Sequence, residues 1–291
     1  MNIDFNFKVD EDILARFILY SALYDKRAYQ TIVSVVTSEQ GKLALLNIFN
    51  KNIDLLNSKK IDEIRDVIRN LSINNIDQIT KEWGNALGYM IPIDVTYDDE
   101  TKEFFKLIKM TPFYNEMFEK SKQNMERIKQ NWQAKKELIN EFLRSVLGKD
   151  INDIVDAYIL APDMHFGEAF KSWLVWGHDA GLNEPNFDLT YIIHEYLHIL
   201  FNRHNNSEYD KNPKVVHTVI ELIADDLLYS KLTGDPGKQL PGHAELEPYK
   251  EKIYPLFFEY LGKPNRNIDT FIENIMNNDE ILAVGISEMA R

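Results

Sequence analysis

Asp188-Leu-Thr-Tyr-Ile-Ile-His194-Glu195-Tyr-Leu-His198-Ile-Leu-Phe201-Asn-Arg203 is the stretch that decides the chain. It contains the pentad HExxH. On an α-helix, residues i and i+4 lie one above the other. His194 and His198 therefore present two imidazoles to one point in space. Glu195 lies beside that point and reaches a water on a bound metal rather than the metal itself. The flanking Leu189, Ile192, Ile193, Leu197, Ile199, Leu200 and Phe201 make the helix apolar. An apolar, buried helix carries two histidines and a glutamate only if they have partners, because unsatisfied polar groups in a core are costly. The segment therefore predicts a metal site.

A catalytic zinc takes three protein ligands and keeps one position for water. The chain has no cysteine, so the ligands must be His, Asp or Glu. Two residues compete for the third place. His204 has the spacing of the HExxHxxGxxH pattern, in which glycine bends the chain back to the metal. Phe201 stands at that glycine position and does not readily take the left-handed backbone it requires. His204 therefore reads as a polar residue near the helix end, and Glu221 is favoured. Glu221 lies in Val215-Val-His217-Thr-Val-Ile-Glu221-Leu-Ile-Ala-Asp225-Asp226, an apolar helical stretch. Asp225, four residues on, shares its face if the helix is regular. It can accept the free ring N–H of a zinc-bound histidine.

HExxH followed by E-x-x-x-D on the next helix resembles the gluzincin metallopeptidases, the thermolysin-like and aminopeptidase-like clan. The resemblance covers Asp188 to about Leu228. It implies Zn²⁺ held by His194, His198 and Glu221, with Glu195 as general base and Asp225 behind His194. It also implies a substrate backbone laid along an edge strand upstream of the metal helix, at Ala157 to Leu160 or Met164 to Phe166. The aminopeptidase motif G-x-M-E-N is absent. His217, one turn before Glu221, reads as an oxyanion donor, a partner of the ligand shell or a satisfied core histidine. Tyr209, Tyr229, His243 and Tyr249 are weaker oxyanion candidates, with packing or loop roles as the ordinary alternative. His165 and His178 read as exposed loop residues beside a cleft.

The expected activity is hydrolysis of peptide bonds in a peptide or protein substrate. Two alternatives are a non-proteolytic zinc-binding protein and a zinc hydrolase of a non-peptide amide or ester. A general base beside the ligands argues against a purely structural site. A net charge of −13 disfavours nucleic acid and anionic membrane as main partners, and neither is expected. No signal-peptide pattern or run of about 18 apolar residues is present, so the expected location is cytoplasmic.

Residues 3 to 9 alternate as a strand, and Asp10 caps a helix carrying Ile13, Leu14, Phe17 and Ile18. Helical patterns follow over 28–37, 40–57 and 60–71. Residues 84–92 read as a loop and Ile93 to Tyr97 as a short strand. Pro112 opens the longest helix, ending near Gly148. Ala157 to Leu160 and Trp173 to Trp176 read as short buried strands. Helices are expected over Pro213 to Lys231, Ala244 to Leu261 and Asn267 to Met276. The fold class is α+β, predominantly helical. Residues 1–150 form a mainly helical region, and 151–291 a zincin-like metallohydrolase region with a small sheet packed on the metal helix.

Overall fold

The computed structural model describes residues 1–22, 24–51, 91, 93–203 and 212–289, the last five by backbone only. It is mostly helical with one small sheet. The expectations for 60–71, for most of 84–92, and for His204 and Tyr209 lie outside the described residues. Ile93 to Tyr97 forms no strand. Among the described residues no helix is long and apolar enough to cross a membrane.

The chain divides into two units, Val9–Lys122 on one hand and Met1–Lys8 with Gln123–Arg291 on the other. The sequence reading places the boundary at residue 150. The first strand is assigned with the C-terminal residues because it pairs with a strand 150 residues later. The Val9–Lys122 unit contains α1 (Glu11–Ser21), α2 (Lys26–Val36), α3 (Glu39–Lys51) and α4 (Asp99–Lys109). Asp10 caps α1 by accepting from the Asp12 and Ile13 amides. Asp25 and Asp98 cap α2 and α4 in the same way, satisfying otherwise orphaned N–H groups. Ile13, Leu14, Phe17, Ile18, Phe104 and Ile108 fill the core of this unit. α5 (Pro112–Leu147) starts within it and continues as part of the second unit.

The second unit holds the sheet, in the order β1 (Asn2–Lys8), β2 (Asn152–Ile159), β4 (Trp173–Gly177), β3 (Phe166–Ala169). The first three strands are parallel, and β3 runs antiparallel along β4 as an edge. Every residue of β4 is buried, as expected for a central parallel strand. β1 is the other edge, and α5 covers it. The Ile3 amide donates to Asn140 Oδ1 at 2.7 Å, and Asn140 Nδ2 donates to the Ile3 carbonyl at 3.0 Å. One asparagine thus stands in for a further strand. Trp132 and Ile139 of α5 are fully buried, and Phe5 meets the Trp132 ring edge-on at 4.9 Å. Gly148 ends α5 in the left-handed conformation, with the Arg266 carbonyl where a Cβ would project.

After β4 come the short α6 (Ala180–Asn183) and the long α7 (Pro185–Arg203). α8 (Pro213–Glu221) passes without a break into a π-helical segment, Leu222–Leu228, and then α9 (Tyr229–Thr233). α10 (Glu247–Leu261), α11 (Ile268–Met276) and α12 (Asp279–Met289) close the chain.

Replacing Asn140 by leucine leaves the Ile3 N–H and C=O buried without partners. The expected cost is about 2 kcal/mol in urea unfolding of the full chain. A loss under about 0.5 kcal/mol would show that β1 needs no such partner.

Candidate metal centre

α7 is anchored at its first turn. Asp188, fully buried, accepts from Trp176 Nε1 of β4 at 2.7 Å and pairs with Arg127 Nη2 of α5 at 2.6 Å. Trp176 also stacks on Tyr191 with ring centroids 5.2 Å apart. Sheet, α5 and α7 are thereby locked together one and a half turns before His194. The helix runs through the buried Phe201 to Arg203, so no bend occurs at that position.

His194 is 3% exposed. Its Nδ1 lies 3.0 Å from Asp225 Oδ1, and its Nε2 lies 3.2 Å from His217 Nε2. A carboxylate on Nδ1 fixes the ring with its proton there, leaving the Nε2 lone pair free. Burial opposes charge on this imidazole, but the Asp225 contact outweighs it and raises the pKa. The His198 ring lies 5.1 Å from that of His194 and 4.7 Å from that of His217. Donor atoms of His194, His198 and His217 all fall within 4.8 Å of one another. Burial, then the neighbouring histidines, hold His198 down to about 2 and His217 to about 4. Both are neutral imidazoles at ordinary pH. Neutral imidazole donors converging from two helices suit a zinc-class ion.

Glu195 faces the edge strand. Its carboxylate hydrogen-bonds the Ala169 backbone of β3. A Cβ on Gly167 would come within 3.8 Å of Oε1 and would clash with the Trp176 ring at 2.5 Å. Glycine therefore lets β3 approach both side chains closely. Burial raises the Glu195 pKa to about 7. Glu168 on the same strand is also raised by burial.

Glu221 is fully buried, but it is not grouped with His194 and His198. Its oxygen falls in a second three-donor group, with His217 and His243. Oε1 accepts from the His243 amide at 2.8 Å and lies 2.6 Å from His243 Nδ1. Oε2 lies 3.1 Å from Lys250 Nζ. Burial raises this carboxyl's pKa, and those partners together bring it below the usual range. The expected face shared by Glu221 and Asp225 gives way because the helix becomes π at Leu222. In a π turn the stacked pair is i and i+5. Accordingly Glu221 and Asp226 both meet Lys250, the latter at 3.4 Å, while Asp225 turns to His194.

The other expected residues divide. His243, half exposed, joins the cluster with its ring 4.6 Å from that of His217. It arrives because the preceding loop docks on the π segment, Leu240 N donating to Asp225 O at 3.1 Å. Gly242 permits this, since a Cβ there would lie 2.4 Å from Glu221 Oε2. Pro241-Gly242 just before a histidine was the available sequence signal. Tyr229 and Tyr249 are buried, and Tyr249 belongs to the hydrophobic core. His165 and His178 form a separate group with Asp179, their rings 4.9 Å apart. His165 is the non-glycine residue at positive φ among the described residues. Lys250 and Asp226 were not anticipated; charged residues in helices carry no periodic signal of their burial.

No family model, curated protein or solved structure matches the chain.

The raised Glu195 pKa has a consequence for stability. The folded, metal-free protein holds a proton that the unfolded chain releases at the ordinary carboxylate pKa. Stability is therefore lost as pH rises from about 4.5 to about 7. Metal-free Glu195→Gln is expected to match wild type at pH 4 and to exceed it at pH 8, by on the order of 3 kcal/mol in urea unfolding. Equal stability at both pH values would contradict the burial argument.

Proposed function

We propose that this chain is a zinc-dependent hydrolase that cleaves peptide bonds, with Glu195 as the general base. The observation that carries the proposal is the convergence of His194, His198 and a donor from α8 beside a glutamate whose pKa is raised to about 7. Such a value suits a base that must take a proton and return it near neutral pH. The HExxH resemblance to gluzincins, with Asp225 behind His194, points the same way.

A zinc ion held by these histidines supplies Lewis acidity and a bound water whose pKa lies near about 7. The protein's residues do the rest. Glu195 accepts the proton of the attacking water at its carboxylate and passes it to the leaving amine. Asp225 keeps the His194 proton on Nδ1, so that Nε2 remains a donor. β3 is an edge strand of the sheet, and an extended substrate adds along it beside Glu195. Glu221 engages His243 at Nδ1 and so orients this half-exposed ring; in the doubly protonated ring the Nε2–H donates to the developing oxyanion. The edge strand favours a main-chain substrate over a small amide or ester.

The test is cleavage of a peptide library by zinc-loaded wild type and by Glu195→Gln. Wild type is expected to cleave, and the variant to bind zinc normally while losing about 100- to 10,000-fold in rate. Cleavage by Glu195→Gln at the wild-type rate would remove the base. A zinc-loaded wild type inert toward every peptide would remove the peptidase assignment.

A further inference from the structure

His217 and Glu221, one turn apart on α8, compete for the third place beside His194 and His198. We infer that His217 is the third metal donor, and that Glu221 is held away from the metal as the carboxylate that orients His243. The assignment rests on the metal reading proposed above and departs from the two-histidine, one-glutamate set that the sequence spacing suggests.

The first argument is distance. Zinc–nitrogen bonds of about 2.0–2.1 Å place two ligand nitrogens of a tetrahedral site roughly 3.3 Å apart. His194 Nε2 and His217 Nε2 are 3.2 Å apart. His194 already gives its Nδ1 side to Asp225, so Nε2 is its remaining donor atom. The same atom of His217 faces it from the opposite helix, and the His198 ring lies alongside both. One pair of nitrogens thus stands at the spacing one ion needs, and a donor atom of His198 lies within 4.8 Å of both rings' donors.

The second argument is the occupation of Glu221. Oε1 is engaged by the His243 amide and ring, and Oε2, which accepts no hydrogen bond among the described residues, forms an ion pair with the Lys250 ammonium at 3.1 Å. Turning toward the histidines would break these contacts inside a fully buried site. It would also leave Lys250, largely buried itself, with Asp226 at 3.4 Å as its remaining carboxylate in this network. A buried ammonium stripped of its partner is costly. The carboxylate's charge is already answered by a protein cation, so it does not call for a second one.

The third argument is local geometry. The π-helical segment begins at the residue after Glu221 and pairs Glu221 with Asp226 over Lys250. His217 lies four residues earlier, within regular helix, and projects toward α7. Two carboxylate–histidine pairs result: Asp225 behind His194, and Glu221 behind His243. The first orients a ligand, and the second orients a side chain that meets substrate. Three neutral donors leave the ion's full charge facing Glu195, which strengthens the acidity of the bound water.

The experiment is a zinc-affinity measurement by chelator competition on the full chain, as wild type, His217→Gln and Glu221→Gln, with circular dichroism showing that each is folded. His217→Gln is expected to weaken zinc by more than the ~10–100-fold typical of residues behind the ligands, and Glu221→Gln to stay within that range. X-ray absorption of zinc-loaded wild type, which needs no variant, is expected to show scattering from three imidazoles. Zinc loss in Glu221→Gln as large as in His217→Gln, or a two-imidazole spectrum, overturns the assignment. A folded wild type that binds no zinc overturns the metal reading beneath it, and the assignment with it.

Discussion

The contact between His194 Nδ1 and Asp225 Oδ1 at 3.0 Å is the constraint on which the site depends. Both side chains are almost wholly buried, so neither is tolerated without the other. The contact ties α7 to the π segment after α8 and fixes how the two helices face each other. It also sets the protonation of the ring, and with it which nitrogen is free. His198 follows from helix periodicity one turn along. His217 follows from the packing of α8 against α7. Removing Asp225 would therefore disturb orientation and helix packing together.

A second constraint acts from the sheet side. Asp188 joins Trp176, Arg127 and the start of α7, and Trp176 in turn lies under Gly167 of β3. The edge strand and α7 are thus registered through one buried tryptophan. This is why Glu195, next to His194 in the chain, meets the Ala169 backbone and loses most of its contact with water. The proposed base and the proposed substrate edge share one wall of the site. The loop carrying Gly242 and His243 approaches from α8's side, so the two proposed polar arms belong to different connections.

The pentad, the capping Asp10 and the buried strands were legible because each depends on local periodicity or on a single residue's backbone chemistry. Asp10 before an apolar helical pattern, and alternation through Ile3, Phe5 and Phe7, needed no tertiary information. The carboxylates of α8 were less legible. Their spacing of four implied a shared face, which holds for an α-helix and fails where the chain turns π-helical. Nothing in Leu222-Ile-Ala-Asp225-Asp226 marks that change, because it is set by packing among buried neighbours. β1's assignment with the distant half of the chain was equally hidden, since strand pairing across 150 residues leaves no local trace. β3 went unread as a full strand because Phe166-Gly-Glu-Ala is short, glycine-containing and half polar.

The central claim is that one metal ion sits between α7 and α8 at the histidine cluster. Anomalous diffraction at the zinc edge from zinc-loaded crystals tests it most directly. The account predicts a strong peak equidistant from the Nε2 atoms of His194 and His217 and within bonding distance of His198. A peak confined to the His165–His178–Asp179 group, with none at the α7–α8 cluster, would contradict it.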